Sequence, residues 1–142
     1  MCIRDRAIFD AGGDPVGAAA LGLLSDRFEQ AKEDTEVLYI INTLRPLQGS
    51  VEEIVQMLHE IEEKRKLKVT ALVNNTNLAL ETEAQHVVKG QEIVEKVSRE
   101  LKLPIAFACA KENIFREIQG KINCPLKKIK IYMRPEWLDS TR

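Results

Sequence analysis

Asp10, Gly13 and Asp14 stand together in the stretch IFDAGGDPVGAAALG, and their types and spacing suit magnesium and phosphate chemistry. In an Asp-x-x-Gly turn that follows a strand, the carboxylate can hold a water of a magnesium shell. The glycine amide can approach a terminal phosphate because no side chain intervenes. Asp14, one residue further on, can orient an attacking water. The same residues also make an ordinary structural turn. Two carboxylates in one glycine turn equally permit general acid–base work, as in a small transferase, although no nucleophile or cofactor signature accompanies them.

Three further places carry polar side chains at the ends of apolar runs. Asn42-Thr43-Leu44-Arg45-Pro46 puts amide, hydroxyl and guanidinium groups after one run; Arg45 suits a phosphate or a neighbouring subunit, and the alternative is a polar loop stopped by Pro46. LVNNTN, Leu72 to Asn77, offers Asn74, whose carboxamide both donates and accepts and so matches a purine edge. Asparagines are also turn formers and caps. ACAKEN, Ala108 to Asn113, combines small residues that let backbone amides near a base with Lys111, which can lie along its face or along a ribose; a helix start at Lys111-Glu112-Asn113 is the competing account.

The elements that must position these groups are legible as alternating patterns. Strands are expected at Ala7–Phe9, Val37–Ile41, Val69–Val73, Ile105–Ala108 and Ile129–Met133, where β-branched and apolar residues cluster. Ser50 and Glu53 form a capping-box pattern ahead of Val51, Ile54, Val55, Leu58 and Ile61, which repeat at helical spacing. A second helix over roughly Glu83 to Leu101 aligns Val87, Val94, Val97 and Leu101, and a third, beginning near Val16, turns Leu21, Leu24 and Phe28 inward. Strands alternating with such helices imply right-handed crossovers and a three-layer α/β domain, with a mainly parallel sheet and helices on both faces. Ligands of such sheets lie outside the carboxyl ends of the strands.

Composition narrows the function classes. The chain has 142 residues, one domain's worth, with 21 basic and 22 acidic residues and a net charge of −1, so no bulk field directs it to nucleic acid or anionic lipid. There is no apolar run of membrane-spanning length and no signal peptide, and a cytoplasmic protein is expected. Cys2, Cys109 and Cys124 are scattered, without a metal or redox pair pattern, and His59 and His86 lie on expected helices with no ligand spacing. The run EIEEKRKLK is expected as a solvated helix face.

Taken in order, these pieces resemble P-loop ATPases of the MinD/ParA/CobQ type and their relative, the nitrogenase iron protein. FDAGGDPVGAAALG looks like the family's switch II segment, and the resemblance runs from about Ala7 to Lys111. It implies Asp10 holding magnesium through water, Gly13 sensing the γ-phosphate, Asp14 assisting hydrolysis, and Asn74 with Lys111 holding adenine. Asn77 stands where a guanine-reading motif needs aspartate, which favours Mg-ATP over GTP. Gly17 occupies the position of the iron protein's cluster cysteine, so an iron–sulfur cluster is not expected. Neither G-x-x-x-x-G-K-[ST] nor its two-lysine variant occurs in the sequence. The expectation is therefore the C-terminal part of an ATP-binding switch protein, truncated at the N-terminus and itself inactive, with residues 1–6 (MCIRDR) a non-native or frayed leader and 7–142 a partial domain. A homodimer or protein partner would engage the Asp10–Gly17 segment. The rival expectation is a non-catalytic interaction module, for which Trp137 and Leu138 in the tail offer a docking point, against the alternative that Trp137 packs back onto the domain.

Overall fold

The computed structural model describes residues 7–12, 22, 24–65 and 67–132. Strands form at β1 (Leu38–Ile41), β2 (Ala71–Asn74), β3 (Ile105–Lys111) and β4 (Leu126–Ile129). The helices are α1 (Ser25–Gln30), α2 (Val51–Arg65), α3 (Ala84–Leu101) and α4 (Glu112–Ile118). The four strands pair in parallel in the order β1-β2-β3-β4.

Each parallel pair requires a crossover, and a right-handed crossover that always steps the same way leaves its helix on the same side of the sheet. Accordingly α3 packs against both α2 and α4, and the three make one layer over β2, β3 and β4. On this side, Tyr39, Ile41 and Leu72 meet Ile54 and Leu58 of α2 and Val94 and Val97 of α3. A second cluster joins Ala108 and Ala110 of β3 to Val87, Ile114, Ile118 and Ile122. Ile54, Leu58, Val94 and Val97 are at most 1% exposed. Burial of side chains of this size is worth about 1.5–3 kcal/mol each.

The expected helix caps and faces are present. Ser50 Oγ accepts from the Glu53 N–H at 3.2 Å, and Glu53 Oε2 accepts from the Ser50 N–H at 3.2 Å, closing the capping box ahead of α2. At the start of α3 the Glu83 N–H donates to His86 Nδ1 at 3.0 Å, so this histidine serves as a cap.

Two expected strands differ. Ala7–Phe9 joins no sheet: Ile8 is 94% exposed, and Phe9 instead meets Phe28 edge-on with ring centroids 5.4 Å apart. An apolar triplet without a neighbouring ladder has nothing to pair with. The last strand lies earlier than Ile129–Met133, because β3 ends at Lys111 and the register Lys111↔Ile129 uses up the ladder there. The expected helix beginning near Val16 is described only from Gly22 onward, as α1 and its approach, and its face is half-buried through Leu24 and Phe28. Gly13, Asp14, Gly17, Trp137, Leu138 and residues 1–6 lie outside the described residues.

The opposite face of the sheet carries Leu38 and Ile40 of β1, Val73 of β2 and Phe107 and Cys109 of β3. Leu38 is 37% and Ile40 47% exposed, although their neighbour Val73 is 1% exposed. Among the described residues no helix is long and apolar enough to cross a membrane.

Candidate functional site

The carboxyl rim of the sheet is built by the segments that leave β1, β2 and β3. Asn42, just after β1, donates from Nδ2 to the Asn77 carbonyl at 3.0 Å, and its Oδ1 accepts from the Asn77 N–H at 3.2 Å. This reciprocal pair mimics one rung of a ladder and clasps the loop after β1 to the loop after β2. A second clasp sits beneath it, where the Thr43 and Thr76 hydroxyls meet at 3.1 Å, both residues buried. Asn77 also shapes its own loop, with Nδ2 donating to Asn75 O at 2.7 Å and Oδ1 accepting from the Ala79 N–H at 3.2 Å. Lys111, at the end of β3, donates from Nζ to the Leu80 carbonyl at 2.9 Å and so ties the third strand to the same loop.

Asn74 stands at the end of β2, as the sequence places it, but turns inward, away from the rim. It is fully buried and in phase with Leu72, so its side chain enters the helix layer. Nδ2 donates to Gln91 Oε1 at 3.0 Å and to Val87 O at 3.3 Å, while Oδ1 accepts from the Thr76 N–H at 3.0 Å. Both donors are thereby used inside the protein. Asn75, the next residue, is half-buried, and its N–H donates to the Ile41 carbonyl at 2.8 Å.

Gln91 continues the polar row. It is 3% exposed, and its Nε2 donates to Glu95 Oε1 at 3.4 Å and to Cys124 Sγ at 3.5 Å. A buried file of Thr43, Thr76, Asn74 and Gln91 thus runs between the two apolar clusters. Gln91 on α3 is the member that the sequence does not mark, and the Asn42–Asn77 pairing joins two residues that the sequence marks only singly. The period-2 phase of β2 puts Asn74 with Leu72, but packing alone decides that theirs is the helix-facing side.

Of the other expected site residues, Asp10 is exposed in an irregular stretch, and no hydrogen bond or ion pair joins it to Asn74 or Lys111 among the described residues. Arg45 is exposed in the loop after β1. Lys111 is followed at once by α4, so the expected helix start is also present. The rim thus brings together Asn42, the Asn74–Asn77 loop and Lys111, and leaves Asp10 apart from their bonds. Among the described residues no three His, Cys, Asp or Glu side chains converge as a metal site.

Burial sets the acid–base character of the thiols and of Tyr39. Cys109 is pushed up mainly by burial and pulled partly back by Lys127. Cys124 is pushed up mainly by burial, with the Gln91 amide opposing. Tyr39 is likewise raised by burial, against the hydrogen bond from Gln48. In all three the folded chain holds its proton longer than the unfolded chain. Their contribution to stability is therefore whole below the ordinary values of 9.0 for the thiols and 10.0 for the phenol, and declines as pH rises past them. Thermal melts from pH 7 to 11 should show Tm falling above about pH 9. Peptide mapping after alkylation at pH 7.5 should find Cys109 and Cys124 modified more slowly than a free cysteine, since the thiolate is the nucleophile. A flat alkaline limb would mean that neither burial nor the neighbouring groups shift these protons.

No family model, curated protein or solved structure matches this chain.

Proposed function

We propose that this chain is the C-terminal part of a cytoplasmic ATP-binding switch protein of the MinD/ParA type, and that it does not hydrolyse ATP by itself. The observation that carries this is the rim: consecutive parallel strands bring Asn42, the Asn74–Asn77 loop and Lys111 to the edge where open α/β sheets hold ligands. In the complete protein Asp10 would hold the magnesium shell, Gly13 would sense the γ-phosphate and Asp14 would assist hydrolysis. Asn74 would act by fixing the base-side loop from within, its donors being spent on α3, while Lys111 lies at the same rim. Support for a further strand and a second helical layer comes from the exposed Leu38 and Ile40, since all-parallel sheets are normally covered on both faces. The sequence has no Gly-rich, lysine-bearing phosphate loop, and phosphate contacts supply much of the affinity and of the charge stabilisation in such proteins.

A second reading, a non-catalytic interaction module, is favoured by one observation. The two clasped loops expose Leu44, Leu47, Leu78 and Leu80, each 39–60% accessible. Such leucines at one rim suit a protein surface.

Calorimetry with MgATP, MgADP and MgGTP separates the two. The 142-residue chain should give no measurable heat, and a version extended upstream through its reading frame should bind, preferring adenine nucleotides. An extended protein that ignores all three nucleotides overturns the switch proposal and leaves the interaction module.

A further inference from the structure

The two edges of the sheet are built differently. β4 carries Lys127 and Lys128 on opposite faces, with the Lys127 ammonium 4.9 Å from the Phe107 ring centre and the Lys128 ammonium 5.5 Å from that of Phe115. Charged side chains at an edge prevent another strand from adding there. β1, with the sequence LYII, has no charge at all, and its outward backbone has no partner among the described residues.

The direction of its free groups follows from the ladder. The carbonyls of Val37 and Ile41 accept from Ala71 and Asn75 of the β2 side. A strand alternates its hydrogen-bonding direction from residue to residue, so the N–H and C=O of Leu38 and Ile40 point away from the sheet. The side chains of these two residues are also the ones left 37% and 47% exposed, on the face opposite the helix layer.

We propose that β1 pairs with β1 of a second copy of this chain, antiparallel and centred on Tyr39. In that register Leu38 lies opposite Ile40 of the second copy and Ile40 opposite its Leu38. Both are hydrogen-bonded pairs, each exchanging two N–H···O bonds, so every outward group of Leu38 and Ile40 is satisfied. The same register sets leucine against isoleucine on the face opposite the helix layer and continues the helix layers on the other. The pairing is two-fold and therefore closes at a dimer. Head-to-tail addition, which would grow a fibre, is prevented because it needs the lysine-bearing β4 edge. The inference goes beyond the nucleotide proposal: a complete protein that lays a strand of its own on β1 would occupy this edge from within.

Sedimentation of the 142-residue chain from low concentration to about 1 mM should show the mass rising from 16.1 kDa to twice that value. Hydrogen exchange at the Leu38 and Ile40 amides should slow over the same range. Ile40→Lys adds a charge on the exposed face without entering the core, and should abolish the dimer while leaving unchanged the Tm read at a dilution where the parent chain is monomeric; Leu38→Lys is the independent second variant. Lys127→Leu, at the other edge, should leave the dimer as it was. A monomer at every concentration, a dimer that survives both lysine variants, or growth to higher oligomers in the unaltered chain would each overturn the proposal. Nucleotide calorimetry on the extended protein reads the other proposal separately, so either can fail alone.

Discussion

Replacing Gly90 by alanine should destabilise the domain by about 1–3 kcal/mol, the cost of forcing extra volume into a packed site. In an exposed helix the same change gains about 1 kcal/mol, because alanine is the better helix former. The sign reverses here because α3 approaches the loop after β2 at this residue. A β-carbon at Gly90 would lie 2.7 Å from Thr76 Cβ and 2.9 Å from its Cγ2. Thr76 has no room to retreat. It is 1% exposed, its N–H is held by Asn74, and its hydroxyl meets Thr43. Thermal or urea unfolding of Gly90→Ala should therefore show a lower midpoint. Thr76→Ala should relieve part of the loss in the double variant, since it removes the hydroxyl and methyl but keeps the β-carbon. An unchanged or raised midpoint in Gly90→Ala would mean that the loop slides freely over the helix.

Asn74→Leu should cost about 2–4 kcal/mol, because Gln91 Oε1 and the Thr76 N–H lose their partner in a buried setting and each pays a desolvation penalty. Leucine fills a similar space, so little of the effect would be cavity. Asn74→Asp is the sharper probe. It keeps the acceptor for Thr76 but sets a carboxylate against the Val87 and Gln91 oxygens. Burial among acceptors raises the carboxyl pKa in the folded state, so this variant should be most stable at acid pH and weaken as pH rises toward neutrality. Melts without nucleotide decide the matter. If Asn74 served only to touch a ligand, both variants would melt like the parent and differ only in binding.

Helix positions were the most legible part of the fold in the sequence, because the capping box at Ser50 and Glu53 and the apolar repeat from Val87 to Leu101 are local signals that tertiary packing reinforces. Strands β1, β2 and β3 were legible for a similar reason: each is a short apolar run bounded by polar residues. Ala7–Phe9 was not, since a strand exists only by its neighbour and a single sequence does not name that neighbour. The shift of the last strand has the same origin, in the length of β3. At the site, sequence placed Asn42, Asn74 and Lys111 at strand ends correctly, yet it could not say which way Asn74 turns. Its neighbours Val73 and Leu72 are both apolar and both buried, so no alternation marked the helix-facing side. The Gln91 contact was beyond reach, because a glutamine on a helix usually faces water.

The monotonic strand order has a consequence for where a ligand can sit. Crevices in open α/β sheets arise at a switch point, where successive crossovers diverge to opposite faces. From β1 to β4 the order never reverses, so these strands contain no such point. Where a reversal is made on the outer flank of β1, the crevice opens above Asn42 and Thr43. That flank is also the edge offered to a second copy. A strand laid on the outer flank of β1 and dimerisation through β1 are therefore mutually exclusive, and a crevice opened on that flank costs that dimer.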